Sequence, residues 1–408
     1  MKIAIVNMTY IGSTGKIMFA CAECARKAEN DVRTYSPVYY MRREKMPQPE
    51  ITGHVYFGIE RENMLHYAIA RMFGLENYGS YFGTLQLIHA LKAYQPDIVH
   101  LHNLHNYTIN LPLLFHYLKE SGVRVVWTLH DCWTMTGRCP HFVVAKCDKW
   151  KDGCSHCPQI REYPRYYIDQ TNRIWHMKQQ LFTSLAHMTI VTPSKWLADL
   201  VGQSYLKDYP VRVINNGIDL DVFRPAESDF RIRYNIPSDR PVILGVAFDW
   251  GERKGLDVFI KLAEDFGDKY QIVLVGTNDH IDVQLPENII SVHRTQNQQE
   301  LAEIYSAADV FVNPTREEVL GMVNIEALAC GTPVITFETG GSPECIDDTC
   351  GIVVPCDDVG AMENAICHII EERPFSQEAC RKRAEMFDMN DKFAEYVKLY
   401  QELFEEKQ

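Results

Sequence analysis

Short apolar runs alternate with amphipathic stretches along this chain, the pattern of an α/β protein. Lys2–Met8 and Val32–Tyr35 read as strands, with the turn Gly12-Ser13-Thr14-Gly15-Lys16 between them leading into a helix that carries Ile17, Phe19 and Ala20. Further strands are expected at Pro96–Leu101, Val123–Leu129 and Thr189–Thr192, with a helix from about Thr171 to His187 and Ser194 placed to cap the helix holding Trp196 and Leu197. Glu60–Gly83 is rich in aromatics, and packing in a satellite core is favoured there over a lid on an acceptor. A new alternation starts with Val211–Ile214 and continues through Pro241–Phe248, a helix from Leu256, Gln271–Gly276, Ile289–Arg294, a helix over Gln298–Ala308, and Asp309–Asn313. After a short helix starting near Gly321 and stopped by Gly331-Thr332-Pro333, strands follow at Val334-Ile335 and Cys350–Pro355. Thr339–Glu344 reads as a flexible loop, the chain turns helical after Asp357, and Lys392–Glu405 is an amphipathic terminal helix. Two runs of strand and helix imply two domains, meeting near residues 205–220 without a long linker.

Composition narrows the setting. The 408 residues are 46% hydrophobic and 23% charged, enough for two globular cores. A net charge of −13 speaks against a nucleic-acid backbone as partner, while leaving room for a local basic pocket. The first residues lack the pattern of a secretory signal and no apolar run reaches the length of a spanning helix, so the expected location is cytoplasmic, with the inner membrane surface as a variant. The 13 cysteines are concentrated locally, which asks for a local explanation before a disulfide framework.

Candidate chemistry gathers where strands end. Glu318 and Glu326 flank the start of the short helix, whose unpaired N–H groups at Gly321, Met322 and Val323 suit an anion while the carboxylates suit sugar hydroxyls. Val123–Leu129 delivers His130 and Asp131 to a sheet edge, and the strand before it delivers His102 and Asn103. The Gly12–Lys16 turn is neither a Walker loop nor a dinucleotide fingerprint, because Ile17 follows Lys16 and the glycine spacing is too short. Cys154 and Cys157 have the spacing of adjacent metal ligands; Cys139 and Cys147 complete a four-thiolate set, with Cys132, His141 and His156 in reserve. Structural Zn²⁺ is the leading reading because the residues between these cysteines promise little core of their own; packed thiols, disulfides and an iron–sulfur cluster stay open. No catalytic metal is expected.

Glu318 and Glu326, with Gly321 between them and Ala329-Cys330-Gly331-Thr332-Pro333 after, resemble the paired-glutamate signature of the retaining glycosyltransferases of family 4. His130-Asp131, Asn216-Gly217 and Phe223-Arg224-Pro225 extend the resemblance over nearly the whole chain, and the cysteine-rich insertion at 132–158 is similar to one in a polysaccharide-assembly subgroup. The resemblance implies a GT-B fold, two Rossmann-like domains facing across a cleft: an acceptor-side domain over 1–210, a nucleotide-sugar domain over 211–387, and a terminal helix over 388–408 bracing the first. It implies donor-sugar contact at His130, diphosphate contact at Arg253 and Lys254, sugar positioning at Glu318 and ribose contact at Glu326. Gly15 and, more weakly, Lys16 are placed near the donor phosphates and acceptor, His102 and Asn103 on the acceptor side, and His293 and Arg294 near the base. The family's arginine just after the strand is absent, Val246-Ala247-Phe248 standing there instead. The implied donor is a UDP- or GDP-sugar and the implied acceptor a glycan or lipid-linked saccharide of a surface polysaccharide, with peripheral membrane association allowed. A nucleotide-sugar epimerase and a zinc-stabilised carbohydrate-binding or scaffold protein are the alternatives.

Overall fold

The structure is a computed structural model that describes residues 1–38 and 49–406. The chain divides into two compact units, Met1–Ile214 with Lys392–Gln408, and Asn215–Asp391.

In the first unit, β1 (Lys2–Val6), β2 (Asp31–Pro37), β3 (His54–Phe57), β4 (Ile98–Leu101), β5 (Arg124–Thr128), β6 (Met188–Thr192) and β7 (Val211–Val213) form one parallel sheet in the order β3-β2-β1-β4-β5-β6-β7. The helices are α1 (Gly12–Lys27), α2 (Glu60–Phe73), α3 (Tyr81–Tyr94), α4 (Leu111–Ser121), α5 (Thr171–Phe182) and α6 (Lys195–Val201). Strands covered on both faces are buried at every position rather than alternating, as in β4 and β6. Strand order reverses between β1 and β4, which pair in parallel, so the loops after β1, β4 and β5 share the carboxyl edge where α/β sheets take ligands.

In the second unit, β8 (Val242–Val246), β9 (Gln271–Val275), β10 (Ile289–Val292), β11 (Val310–Asn313), β12 (Val334–Phe337) and β13 (Gly351–Val354) give a parallel sheet ordered β10-β9-β8-β11-β12-β13. Its helices are α7 (Phe230–Arg233), α8 (Leu256–Phe266), α9 (Asp279–Asp282), α10 (Gln298–Ala307), α11 (Met322–Ala329), α12 (Val359–Glu372) and α13 (Gln377–Glu385). The reversal lies between β8 and β11, which places the loop after β8 beside the loop that leads from β11 into α11. The cap read from sequence is in place, Ser194 accepting from Leu197 N at 3.2 Å, and Asp358 caps α12 in the same way, accepting from Ala361 N at 2.9 Å.

The last helix, α14 (Met389–Glu405), belongs from Lys392 onward to the first unit. Tyr400 OH pairs with His100 Nδ1 at 2.7 Å, His100 Nε2 with Thr128 Oγ1 at 2.8 Å, and Thr128 donates to Tyr396 OH at 3.1 Å. Burial of both tyrosines thus continues as a hydrogen-bonded chain into β4 and β5.

Two expectations are corrected. The aromatic stretch after Glu60 is a pair of helices, and only part of it packs: Tyr67 lies against the buried cluster of Ala70, Tyr107 and Tyr166, whereas Phe73, Tyr81 and Phe82 are 45%, 49% and 63% exposed. The loop expected at 339–344 is not irregular throughout: it runs into a 3₁₀ segment over Ser342–Cys345.

Candidate functional site

In the second unit the loop after β8 brings Arg253 and Lys254 to the loop before α11. Lys254 Nζ donates to Glu318 Oε2 at 2.5 Å, with the two side chains 17% and 24% exposed. Burial raises the Glu318 carboxyl, but the charge and hydrogen bond of Lys254, helped by Val319 N–H at 3.1 Å and by Arg253, hold it below the usual carboxylate value. Glu318 is therefore an anion already paired with a cation. Arg253 makes one long contact, to the Glu317 carbonyl at 3.4 Å. Arg316 is fully engaged: its guanidinium forks onto Asp257 at 2.8 and 2.7 Å and reaches Asp357 at 2.6 Å, tying the loop down next to Glu318.

Backbone geometry aims this loop. Gly340, at φ 57°, lies so close that a Cβ there would come within 1.8 Å of the Glu318 carbonyl oxygen, and Gly341 N donates to the same oxygen at 3.0 Å. Gly321, at φ 78°, caps α11 in the left-handed region and leaves the Met322 and Val323 N–H groups outside the intrahelical ladder. Ser342 Oγ, fully buried and without a hydrogen-bond partner, stands 3.2 Å from where a Gly321 Cβ would be. An anion with hydroxyls at this helix start would meet two N–H groups, a serine hydroxyl and the Lys254–Glu318 pair. Glu326, one turn further, accepts from Tyr305 OH at 3.1 Å. His293 is turned to Asp282 at 2.5 Å, and Phe248, where the arginine was missed, is 97% exposed.

In the first unit the ends of β4 and β5 interlock. His102 Nδ1 and His130 Nε2 share a hydrogen bond of 2.9 Å with their rings nearly coplanar, while Asp131 accepts from Asn103 at 3.2 Å, His105 Nε2 at 3.0 Å and Trp133 N at 2.8 Å. Burial pushes the His130 imidazole down to about 4, outweighing Asp131, and pushes His100 to about 3 and His102 well below its ordinary value. These rings are neutral near pH 7. His130 is only partly buried, whereas the unpartnered Nε2 of His102 is enclosed. Asp131 ties the loop together through these three bonds; His105 was not foreseen, having no local pattern beyond its place after β4.

Gly15 and Lys16 fall differently from a loop contact. Helix α1 begins at Gly12, so both lie in its first turns. Gly15 is buried where a Cβ would meet the Tyr10 carbonyl carbon at 2.6 Å, a packing reason for glycine, and Lys16 is exposed.

The cysteine-rich insertion has a core that the sequence reading did not credit. Trp133, Phe142 and Trp150 are buried, and Trp175 Nε1 of α5 donates to the Trp150 carbonyl at 2.9 Å. Two buried basic side chains cap carbonyls of the insertion and of the turn after it: Lys178 Nζ donates to Trp133 O at 2.8 Å and Thr136 O at 3.1 Å, and Arg138 to Gln159 O at 2.6 Å and Glu162 O at 2.7 Å. Burial lowers the Lys178 amine to about 7. Cys139 and Cys154 are buried, Cys147 and Cys157 half-buried, and no disulfide forms among the described residues. Burial first, then the neighbouring thiols, push Cys139 up to about 12 and Cys154 to about 11. Among the described residues the group of three potential ligand atoms within 4.8 Å of one another is Asp279, Asp282 and His293, at the surface, and not a set of these thiols.

Two family profiles match the chain in succession, one described as Glycosyltransferase Family 4 over residues 22–222 and one described as Glycosyl transferases group 1 over residues 240–372. The chain is similar to the putative colanic acid biosynthesis glycosyl transferase WcaC of Escherichia coli (strain K12), 26% identical over 352 residues that span 83% of this chain and 84% of that protein. The D-inositol 3-phosphate glycosyltransferase of Saccharomonospora viridis is 28% identical over 216 residues, 47% of this chain and 50% of that protein. Among solved structures, sucrose-phosphate synthase from Thermosynechococcus elongatus gives a TM-score of 0.70 at 20% identity, covering 99% of both chains. Anabaena HepE in complex with UDP-glucose gives 0.64 at 13% identity, covering 97% of this chain and 99% of that one. At these identities the structural likeness is one of fold.

Proposed function

The chain belongs to the family-4 glycosyltransferases of the GT-B fold, and from that premise we propose that it moves a sugar, with retention of configuration, from a UDP- or GDP-sugar to a glycan or lipid-linked saccharide of a surface polysaccharide. The observation that carries the reading is the Lys254–Glu318 pair, 2.5 Å apart, at the approach to the α11 N-terminus. Uridine as the base is supported by the UDP-glucose complex of HepE, and a polysaccharide product by the name of WcaC.

In this reading the bond from the sugar's anomeric carbon to the diphosphate breaks, the acceptor oxygen bonds to that carbon from the same face, and the acceptor proton passes to the departing phosphate oxygen. Lys254 and Arg253 hold the charge that grows on the diphosphate, and the N–H groups of Met322 and Val323 hold the anion as it leaves. Glu318, kept ionised by Lys254, orients the donor sugar; Glu326 holds the ribose hydroxyls. His130 contributes a neutral imidazole to a sugar oxygen, with His102 fixing its orientation. No carboxylate acts as a covalent nucleophile.

Calorimetric titration with a panel of nucleotides, followed by donor turnover with product mass measurement, tests the reading. Glu326→Ala should weaken the cognate nucleotide by about 1–3 kcal/mol, the cost of losing a buried hydrogen-bonding partner. Unchanged affinity in the folded variant overturns the ribose assignment.

We also propose that Cys139, Cys147, Cys154 and Cys157 hold a structural Zn²⁺. Four thiols in one loop support it, and a metal held by them would supply a cross-link to the insertion. Metal analysis of purified protein should find one tightly held zinc, lost in Cys154→Ser. Metal-free protein with full stability overturns it.

A further inference from the structure

We propose that a recess beside the loop after β4 binds an acidic sugar residue of the acceptor glycan. This rests on the transferase reading and narrows its acceptor to a saccharide that carries a carboxylate or a phosphate ester. Within the first unit, a cavity of about 370 Å³ is lined by Arg71, Arg161 and Arg165 together with Tyr67, Tyr107 and Tyr163, a volume that takes a small molecule. Glu162 is the acidic residue of this lining among the described residues, so three cations less one carboxylate leave the recess at +2 on a chain of net charge −13. Arg71 Nη1 donates to Tyr67 OH at 2.5 Å and the Arg161 guanidinium lies 5.4 Å from the Tyr167 ring centre; among the described residues no ion pair ties Arg71, Arg161 or Arg165 to a carboxylate. The positive charge is therefore left for a ligand to compensate.

The walls of the recess are fixed in advance. The loop that carries Arg161 and Arg165 is pinned by the buried Arg138 guanidinium, which donates to the Gln159 and Glu162 carbonyls, and by Tyr166 N donating to Ile160 O at 3.0 Å. Tyr167 N donates to Arg71 O at 3.0 Å and so fastens the loop to α2, while Tyr166 OH donates to the buried Glu76 at 2.5 Å. In the loop after β4, Asn106 and Tyr107 stand at φ 81° and 63°, two successive non-glycine residues in the left-handed region. Such strain persists only where contacts over-determine it: Ser80 Oγ donates to the Tyr107 carbonyl at 2.9 Å, and the Tyr67 and Tyr107 rings meet edge to face at 5.2 Å. Both strained residues line the recess, and with Tyr163 they also line a water-sized cavity of about 10 Å³ that reaches His105. His105 Nε2 pairs with Asp131 at 3.0 Å, next in sequence to His130, so the recess adjoins the candidate site of the first unit. Planar guanidiniums suit the oxygens of a carboxylate or a phosphate, tyrosine rings pack on the C–H face of a sugar, and an asparagine amide pairs with its hydroxyls. A bare anion would leave the rings unused, and a neutral glycan would leave the charge uncompensated. Because the walls are anchored, little ordering cost falls on binding.

Saturation-transfer NMR on the full chain, without donor, reads this with methyl β-D-glucuronide, glucose 6-phosphate and methyl β-D-glucoside as probes and inorganic phosphate as competitor. Wild type should bind one of the two charged sugars at least ~10-fold more tightly than the neutral glucoside, with the gap narrowing as salt rises; the preferred one tells carboxylate from phosphate ester. R161Q/R165Q should lose that preference, both charged sugars falling to the affinity of the glucoside, while its melting temperature stays at the wild-type value because both positions are exposed. Calorimetry with nucleotides tests the transferase reading separately. A chain that binds its nucleotide but prefers neither charged sugar loses this proposal alone, and one that prefers a charged sugar but binds no nucleotide loses the transferase reading. No preference in the wild type, a preference that survives in R161Q/R165Q, or inorganic phosphate binding as tightly as the better charged sugar would each overturn the proposal, the last in favour of an adventitious anion only.

Discussion

Replacing Lys254 by Met removes the cation from the centre of the second unit's site while keeping most of the side-chain volume. In the wild type, Nζ and Glu318 Oε2 are 2.5 Å apart and both side chains are mostly, not wholly, covered. A hydrogen bond between ionised groups contributes about 1.5–3 kcal/mol when sheltered; with a sixth to a quarter of each side chain in water, about 1–2 kcal/mol is the appropriate share. Without Lys254 the Glu318 carboxyl keeps its burial, which raises it, opposed by Val319 N–H and Arg253, so it moves up from its depressed position. The sign follows by linkage: a depressed carboxyl stabilises the fold above its unfolded value of about 4.3, and that stability is lost as pH falls through the folded value. Urea unfolding should therefore show Lys254→Met less stable by about 1–2 kcal/mol at pH 7, with the gap closing in the acid range. A Lys254→Met/Glu318→Gln cycle should recover a coupling of the same size. In turnover the loss is larger, about 10²–10³ in kcat, the usual effect of removing one group that stabilises developing charge. Equal stability at pH 7 together with wild-type kcat would refute the assignment of Lys254 to both roles.

Two further outcomes follow from the geometry. Because burial places the His130 imidazole at about 4, the pH profile of kcat/KM should lack an acid limb near the ordinary histidine value of about 6.5, and His130→Ala should lower kcat far more than nucleotide affinity; a limb near 6.5 would contradict a neutral ring. Gly340→Ala should destabilise the second unit by at least ~1 kcal/mol from its left-handed backbone alone, and displace Glu318 through the clash with its carbonyl oxygen; a variant with wild-type melting temperature and kcat would show that the loop tolerates a Cβ.

Local signals in the sequence determined much of the architecture. Apolar runs bounded by turns located the strands, Ser194 and Asp358 capped the helices they precede, and Gly331-Thr332-Pro333 stopped α11 where a helix-breaking run should. The family resemblance marked Glu318, Glu326 and Lys254, and His130 was marked both by it and by its place at a strand end, where a parallel sheet has its ligand-binding edge. Partnership was decided only in three dimensions. Lys254 meets Glu318 across 64 residues and His102 meets His130 across 28, distances along the chain over which no periodicity carries information. Lys178 and Arg138 carry no local sequence signal of burial, yet they satisfy carbonyls of the insertion and of the turn after it, and the insertion's aromatic core was invisible between its cysteines. Helix α2 shows the same limit from the other side: its apolar residues are arranged as a core face would be, and the fold turns them to solvent because Asn63, His66 and Ala70 already fill the side that packs. Backbone hydrogen bonding and side-chain period act within a few residues and are legible in sequence; burial and charge pairing depend on which surfaces the folded chain has left to cover, and that is settled by the tertiary structure alone.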